Sequence, residues 1–226
     1  MSDGGPSILI MARAPRRGEV RRALEPLVGA ERCAALQRLL ISGAARWARS
    51  IAPGAVHVAH DPPDAARELR PLVGEGAVLF PQNGEGIARR LADASARVFA
   101  RGPGPLLIVW PDLPTLGPER AQEALDDLQD GCDLVLGPVI DGGFYLVGLA
   151  RPLQRLFTMP EQSWRDADVM RLGLDAVASA GVELGILRTE RGLHRPADVR
   201  AALADPCLPR EITRVLARSR PTGRMR

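Results

Sequence analysis

The chain has 226 residues, 46% of them apolar and 25% charged, with a formal charge of +3. That is enough apolar material for the buried core of one domain, and so small a net charge argues against nucleic acid as the main partner. No stretch reaches the ~18 apolar residues of a membrane helix, the start Met1-Ser2-Asp3-Gly4-Gly5-Pro6 lacks a leader pattern, and Cys33, Cys132 and Cys207 form no CxxC pair, so a reduced cytoplasmic protein is expected.

Strand and helix signals alternate along the chain. Ser7–Met11 is a short apolar strand ending at Ala12-Arg13-Ala14-Pro15. Cys33, Leu36, Leu39, Leu40 and Trp47 recur at helical spacing and predict a helix over Ala30–Ile51. A strand at Val56–Ala59 stops at Pro62-Pro63, and a strand at Ala77–Phe80 is followed by a helix from Gly86 to Ala100. Pro105–Trp110 reads as a buried strand, Pro118–Leu128 as a helix, and Asp133–Leu136 and Gly143–Val147 as strands. A helix is predicted over Asp166–Ala180, a strand over Val182–Leu187, and short helices over Pro196–Leu203 and Arg210–Ala217. Short apolar strands separated by helices predict an α/β domain over residues 1–218, with a mostly parallel sheet covered on both faces. Ser219–Arg226 is polar, basic and terminal, and is expected to be disordered.

Ligands of open parallel sheets bind beyond the carboxyl ends of the strands. That rule selects the loops Ala12–Arg22, Pro81–Gly86, Pro111–Leu116 and Asp141–Gly143. Asp112, at a strand end and braced by Pro111 and Pro114, suits a divalent cation, which takes one or two carboxylates and completes its shell with phosphate oxygens. The same residue equally suits the cap of the following helix. Arg13, Arg16, Arg17, Arg21 and Arg22 mix with the small Ala12, Ala14 and Gly18, a composition that either cradles phosphate or forms a solvated basic loop. Neither GxxxxGK[ST] nor GxGxxG is present. Asp141-Gly142-Gly143 allows close approach of a ligand to the backbone, or is a hairpin turn. His57 and His60 have no carboxylate at a telling spacing and read as structural. Ser163 and the cysteines lack a nucleophile-elbow setting.

Three blocks together resemble a known family. Ala12 to Pro26 follows the pattern ARAP-x-x-G-x-VKTRL-x-P, Trp110 to Leu116 follows GTDCPTL, and Leu136 to Leu149 follows LGPAEDGGYYLIGL almost throughout. From about Ile8 to Val199 the chain resembles GT-A-fold, glycosyltransferase-like proteins associated with radical-SAM and selenium genes. It is more distantly similar to the guanylyltransferases for phospholactate and the molybdenum cofactor. The resemblance implies a single-domain GT-A fold of nucleotide-diphospho-sugar transferase type, a nucleotide held by Ala12, Arg13, Ala14, Arg17, Gly18, Arg21 and Arg22, and a divalent metal, Mg²⁺ or Mn²⁺, at Asp112. It further implies Asp112 and Asp141 as catalytic residues and an acceptor beside Gly142 and Gly143.

The chain departs from the pattern inside the site. Lys, Thr and Arg of the first block are Arg21, Arg22 and Ala23, and the Gly-Thr before Asp112 is Trp110-Pro111. The second metal carboxylate is replaced by His194, whose neutral imidazole suits Mn²⁺ or Zn²⁺ better than Mg²⁺. The leading expectation is a metal-dependent transferase acting on a nucleotide or nucleotide-sugar donor and a small acceptor. The alternative is a degenerate homologue that binds a nucleotide or partner without turnover, with nucleic-acid binding through the basic tail a distant third.

Overall fold

The first strand, β1 (Ser7–Arg13), sets the two layers of the molecule. Its side chains alternate between the faces of the sheet. Ile8, Ile10 and Ala12 join one apolar cluster, and Leu9 and Met11 join another on the opposite face. A strand buried on both sides reads as a continuous apolar run, which is why it stands out in the sequence. The computed structural model describes residues 4–153, 156–157, 174 and 181–217.

A short 3-10 turn (Arg22–Leu24) leads into α1 (Glu25–Val28), α2 (Ala30–Ile51), β2 (Val56–Asp61), α3 (Ala66–Val73) and β3 (Val78–Pro81). Next come α4 (Gly86–Phe99), β4 (Leu106–Val109), α5 (Glu119–Gln129), β5 (Leu134–Pro138) and β6 (Phe144–Leu149). The described chain ends with β7 (Leu184–Ile186), α6 (Pro196–Leu203) and α7 (Arg210–Leu216). The strands form one seven-stranded sheet in the order β3-β2-β1-β4-β6-β5-β7. Among the described residues only the β6 pairings, with β4 and β5, are antiparallel. The expected α/β architecture with a mostly parallel sheet is therefore the observed one.

Helices α2, α3 and α5 cover one face through Ile41, Ala45, Ala48, Leu69, Val73, Ala121 and Ala124. Helix α4 covers the other through Leu91, Ala94 and Val98. A third, smaller cluster joins Leu24, Val28, Cys33, Leu36 and Leu40 to Leu193, Val199, Leu208, Ile212 and Leu216. This cluster matters for the site, because it ties the loop after β1 to the segment just before α6.

Two elements differ from the sequence reading for identifiable reasons. Strand β1 continues to Arg13, two residues past the predicted end, because Ala12 and Arg13 stay paired with His60 and Asp61 of β2. Helix α3 was not expected from the sequence, since Pro71 lies inside it and Pro62-Pro63 precede it. The helix predicted over Asp166–Ala180 falls, apart from Leu174, outside the described residues, as does the Ser219–Arg226 tail. Among the described residues no helix is long and apolar enough to cross a membrane.

Candidate functional site

Strands β1, β4, β5 and β7 point the same way, since β1 and β4 pair in parallel, β5 and β7 pair in parallel, and β4 and β5 both oppose β6. Their carboxyl ends therefore share one edge of the sheet. The segments that follow them bring Arg21, Asp112, Asp141 and His194 together there. The chain reverses its direction of strand addition between β1 and β4, which is where open α/β sheets place their ligand crevice.

The four side chains form a continuous chain of hydrogen bonds and ion pairs. Arg21 Nη2 donates to Asp112 Oδ1 at 2.5 Å, and its ion pair is largely dry, with the Arg21 side chain only 7% exposed. Arg21 makes three further bonds: Nε donates to Gln37 Oε1 at 2.8 Å, Nη1 to the Leu193 carbonyl at 2.9 Å and Nη2 to the Pro111 carbonyl at 2.9 Å. His194 Nε2 faces Asp112 Oδ2 at 3.2 Å, and its Nδ1 faces Asp141 Oδ2 at 2.7 Å. The backbone reinforces the arrangement, with Leu193 N donating to the Asp112 carbonyl at 2.9 Å.

Each anchor has a local cause. Arg21 sits in the left-handed region with φ 53, the only non-glycine residue to do so among those described. Its carbonyl accepts from Leu24 N at 2.8 Å and from Cys33 Sγ at 3.5 Å, which holds the turn. Asp198, buried at the start of α6, accepts from the backbone N–H groups of His194 and Arg195 at 3.1 and 2.8 Å. This closes the helix N-terminus and fixes His194 relative to the sheet. Asp112 does not cap α5, which begins at Glu119 after Pro118 with no side-chain cap.

Charge follows geometry. Burial raises the Asp112 carboxyl pKa, but the Arg21 charge and the His194 hydrogen bond outweigh it and hold the group at about 2. The hydrogen bond to Asp112 lifts His194 to about 9 against the opposing effect of burial, aided by the Asp112 charge and by Asp141. Both ring nitrogens face carboxylate oxygens, which only accept, so the ring carries both protons.

The other sequence-derived candidates take different positions. Ala12 and Ala14 are buried at the end of β1, where small side chains let the loop lie against β2, and Ala14 N donates to the Asp61 carbonyl at 2.8 Å. The Arg13 side chain is 57% exposed and bonds Asp61 Oδ2 through Nε at 3.1 Å and Nη2 at 2.9 Å. Arg17 is 75% exposed, 3.9 Å from Glu31. Gly18 adopts φ 75, and its carbonyl accepts from Arg22 Nε at 2.9 Å. Gly142, at φ 98, and Gly143 lie in the turn joining β5 to β6, with Val139 N bonded to the Gly143 carbonyl at 2.9 Å. Arg21 is thus directed inward, onto Asp112, while Arg13, Arg17 and Arg22 stay near the surface. His57 and His60 are buried within β2, away from this chain.

Gln37 was not singled out from the sequence. It lies on the buried face of α2, only 4% exposed, where its Oε1 receives Arg21 and its Nε2 donates to the Arg13 carbonyl at 3.1 Å. The available signal was a polar residue inside the apolar stripe of Cys33, Leu36, Leu40 and Ile41. A cavity of about 250 Å³ opens beside these groups, lined by Met11, Arg13, Glu19, Val20, Arg21, Gln37, Trp110, Pro111 and Asp112.

The expectation of a divalent metal on Asp112 and His194 meets a different donor set. A hard cation needs oxygen lone pairs turned toward it and a net negative cage. Here Asp112 gives one oxygen to Arg21 and the other to His194, and the ring of His194 presents N–H groups to both carboxylates. Among the described residues no group of three or more His, Cys, Asp or Glu is arranged to hold a metal ion. These residues, as arranged, do not fit a resident divalent cation.

Solved structures share the architecture. A protein described as a nucleotide-diphospho-sugar transferase from Desulfovibrio desulfuricans G20 matches with TM-score 0.81 and 24% identity over 96% of this chain and 94% of its own. CMP:2-keto-3-deoxy-manno-octonic acid synthetase complexed with CTP matches with TM-score 0.58 and 16% identity, over 89% and 98% of the two chains. A cytidylyltransferase from Leptospira borgpetersenii serovar Hardjo-bovis gives 0.55 and 11%, over 82% and 76%. At these identities the likeness establishes the fold, and the chain is an α/β protein of the nucleotide-diphospho-sugar transferase fold. It belongs to the family described as "Uncharacterized protein conserved in bacteria (DUF2064)", whose model matches residues 46–163, a span that includes Asp112 and Asp141. No curated protein matches the sequence.

Proposed function

We propose that this chain is a transferase that takes a nucleotide or nucleotide-sugar donor and passes a nucleotidyl or glycosyl group to a small acceptor. The observation that carries this reading is the convergence of the segments after β1, β4, β5 and β7 on one crevice, at the point where strand addition reverses. The donor lies in the cavity between Val20 and Trp110. Arg13, Arg17 and Arg22, with the Gly18 backbone, supply phosphate contacts at its mouth. Asp112 and Asp141 stand nearest the reacting groups, and the turn at Gly142 and Gly143 borders the acceptor. The matched solved structures support this by fold; two of them are described as transferases and a third carries CTP.

A second reading, nucleotide binding without turnover, is favoured by one observation: both oxygens of Asp112 are already engaged by Arg21 and His194. A thermal-shift screen of nucleotides and nucleotide sugars tests the shared premise, because a ligand present at 100 times its Kd adds about 2.7 kcal/mol to native stability. Any ligand that stabilises the protein is then incubated with candidate acceptors and assayed for released pyrophosphate or nucleoside diphosphate. Release supports the transferase, stabilisation without release supports the binder, and no stabilisation by any nucleotide contradicts both.

A further inference from the structure

We infer that the site operates without a resident divalent cation, the Arg21 guanidinium and the His194 ring occupying the two oxygens of Asp112 that such a cation would need. This deepens the reading above and rests on it only for what the site binds. The inference stands on three features of the geometry.

The first is that Arg21 is not a side chain that a metal easily displaces. It is 7% exposed, its donors are spread over Gln37, Leu193, Pro111 and Asp112, and its left-handed backbone is held by Leu24 and Cys33. Withdrawing it from Asp112 leaves a buried guanidinium short of a partner. The second is that His194 lies between acceptors. With Asp112 Oδ2 at 3.2 Å and Asp141 Oδ2 at 2.7 Å, both ring nitrogens are donors, and neither lone pair is open to a metal. The third is charge. Two carboxylates and two cations sum to zero, so the cluster lacks the excess negative charge that concentrates a divalent ion. The Asp112 carboxylate is thereby neutralised by the protein itself, and a phosphate bound beside it meets a balanced cluster, not a bare anion.

The test is a titration of the protein alone with Mn²⁺, following the free-ion signal by electron paramagnetic resonance. The wild-type chain is expected to show no saturable site tighter than about 1 mM. His194→Asp turns the donor between Asp112 and Asp141 into a third carboxylate, and is expected to bind Mn²⁺ at least about tenfold more tightly than wild type, with unit stoichiometry. His194→Asn removes the ring without adding charge and is expected to gain much less. A stoichiometric Mn²⁺ site in the wild-type chain overturns the inference, whatever the variants do. The proposed function fails by a separate route, on the absence of nucleotide binding with or without metal, so the two failures are distinguishable.

Discussion

Replacing His194 with Gln is expected to cost stability at neutral pH and much less in alkali. The imidazole is raised from its ordinary 6.5 to about 9, first by its hydrogen bond to Asp112, against the effect of burial, and then by the charges of Asp112 and Asp141. Because the folded value lies above the unfolded one, the stabilisation is fully present below about pH 6.5 and is lost as pH rises through about 9. At about 1.4 kcal/mol per unit such a shift corresponds to roughly 3 kcal/mol, and partial solvent screening of a ring 29% exposed brings the expectation to about 1–2 kcal/mol. No side-chain amine titrates in this window, since the chain contains no lysine. Burial pushes the Tyr145 phenol and the Cys33 and Cys132 thiols upward. Urea unfolding of wild type and His194→Gln at pH 6, 8 and 10, followed by circular dichroism, measures the difference. It is expected to be largest at pH 6 and to shrink by pH 10. A difference that is the same at every pH would refute the imidazolium bridge between Asp112 and Asp141.

Further outcomes follow from the same contacts. Arg21→Ala is expected to destabilise by about 3–5 kcal/mol, because it strands Asp112 in a poorly solvated pocket, whereas Arg13→Ala, at an exposed pair, should cost no more than about 1 kcal/mol. Equal losses in urea unfolding would contradict the buried-clamp description. Gln37→Leu keeps the volume but leaves Arg21 Nε and the Arg13 carbonyl without their partner, for an expected cost of about 1–3 kcal/mol. An unchanged melting temperature would count against that contact. Gly137→Ala places a methyl group 2.5 Å from Cζ of the buried Tyr145 ring and should cost about 1–3 kcal/mol by overpacking. A neutral result would mean that the ring does not lie against the glycine.

Much of the layout was legible because burial on both faces leaves an unmistakable mark. The apolar runs Pro105–Trp110 and Ser7–Met11 read as strands, the first of them buried, and the loops following them are among those that meet at the crevice. The antiparallel insertion of β6 was legible only as the turn at Asp141-Gly142-Gly143, since local sequence does not record which strand a neighbour pairs with. Helix α3 was hidden by its internal proline. At the site, Asp112, Asp141, Arg21 and His194 were all recognisable as candidates, but their relations were not. Arg21 read as one of five arginines in a loop that either cradles phosphate or is solvated, and its inward direction depends on the left-handed turn, held by Cys33 12 residues away, and on Gln37, 16 residues away. His194 read as a ligand because of where it stands in the pattern; its role as a donor between two carboxylates appears only when the segments after β4, β5 and β7 are brought together.

The most direct test of the proposed site is a crystal structure of the protein grown with whichever nucleotide or nucleotide sugar stabilises it most in the thermal-shift screen, in the presence of a chelator. The donor is expected between Val20 and Trp110, with its phosphates toward Arg13, Arg17 and Gly18 and with Arg21 still bonded to Asp112. A nucleotide ordered anywhere else on the molecule, or one that displaces Arg21 from Asp112, would contradict the assignment.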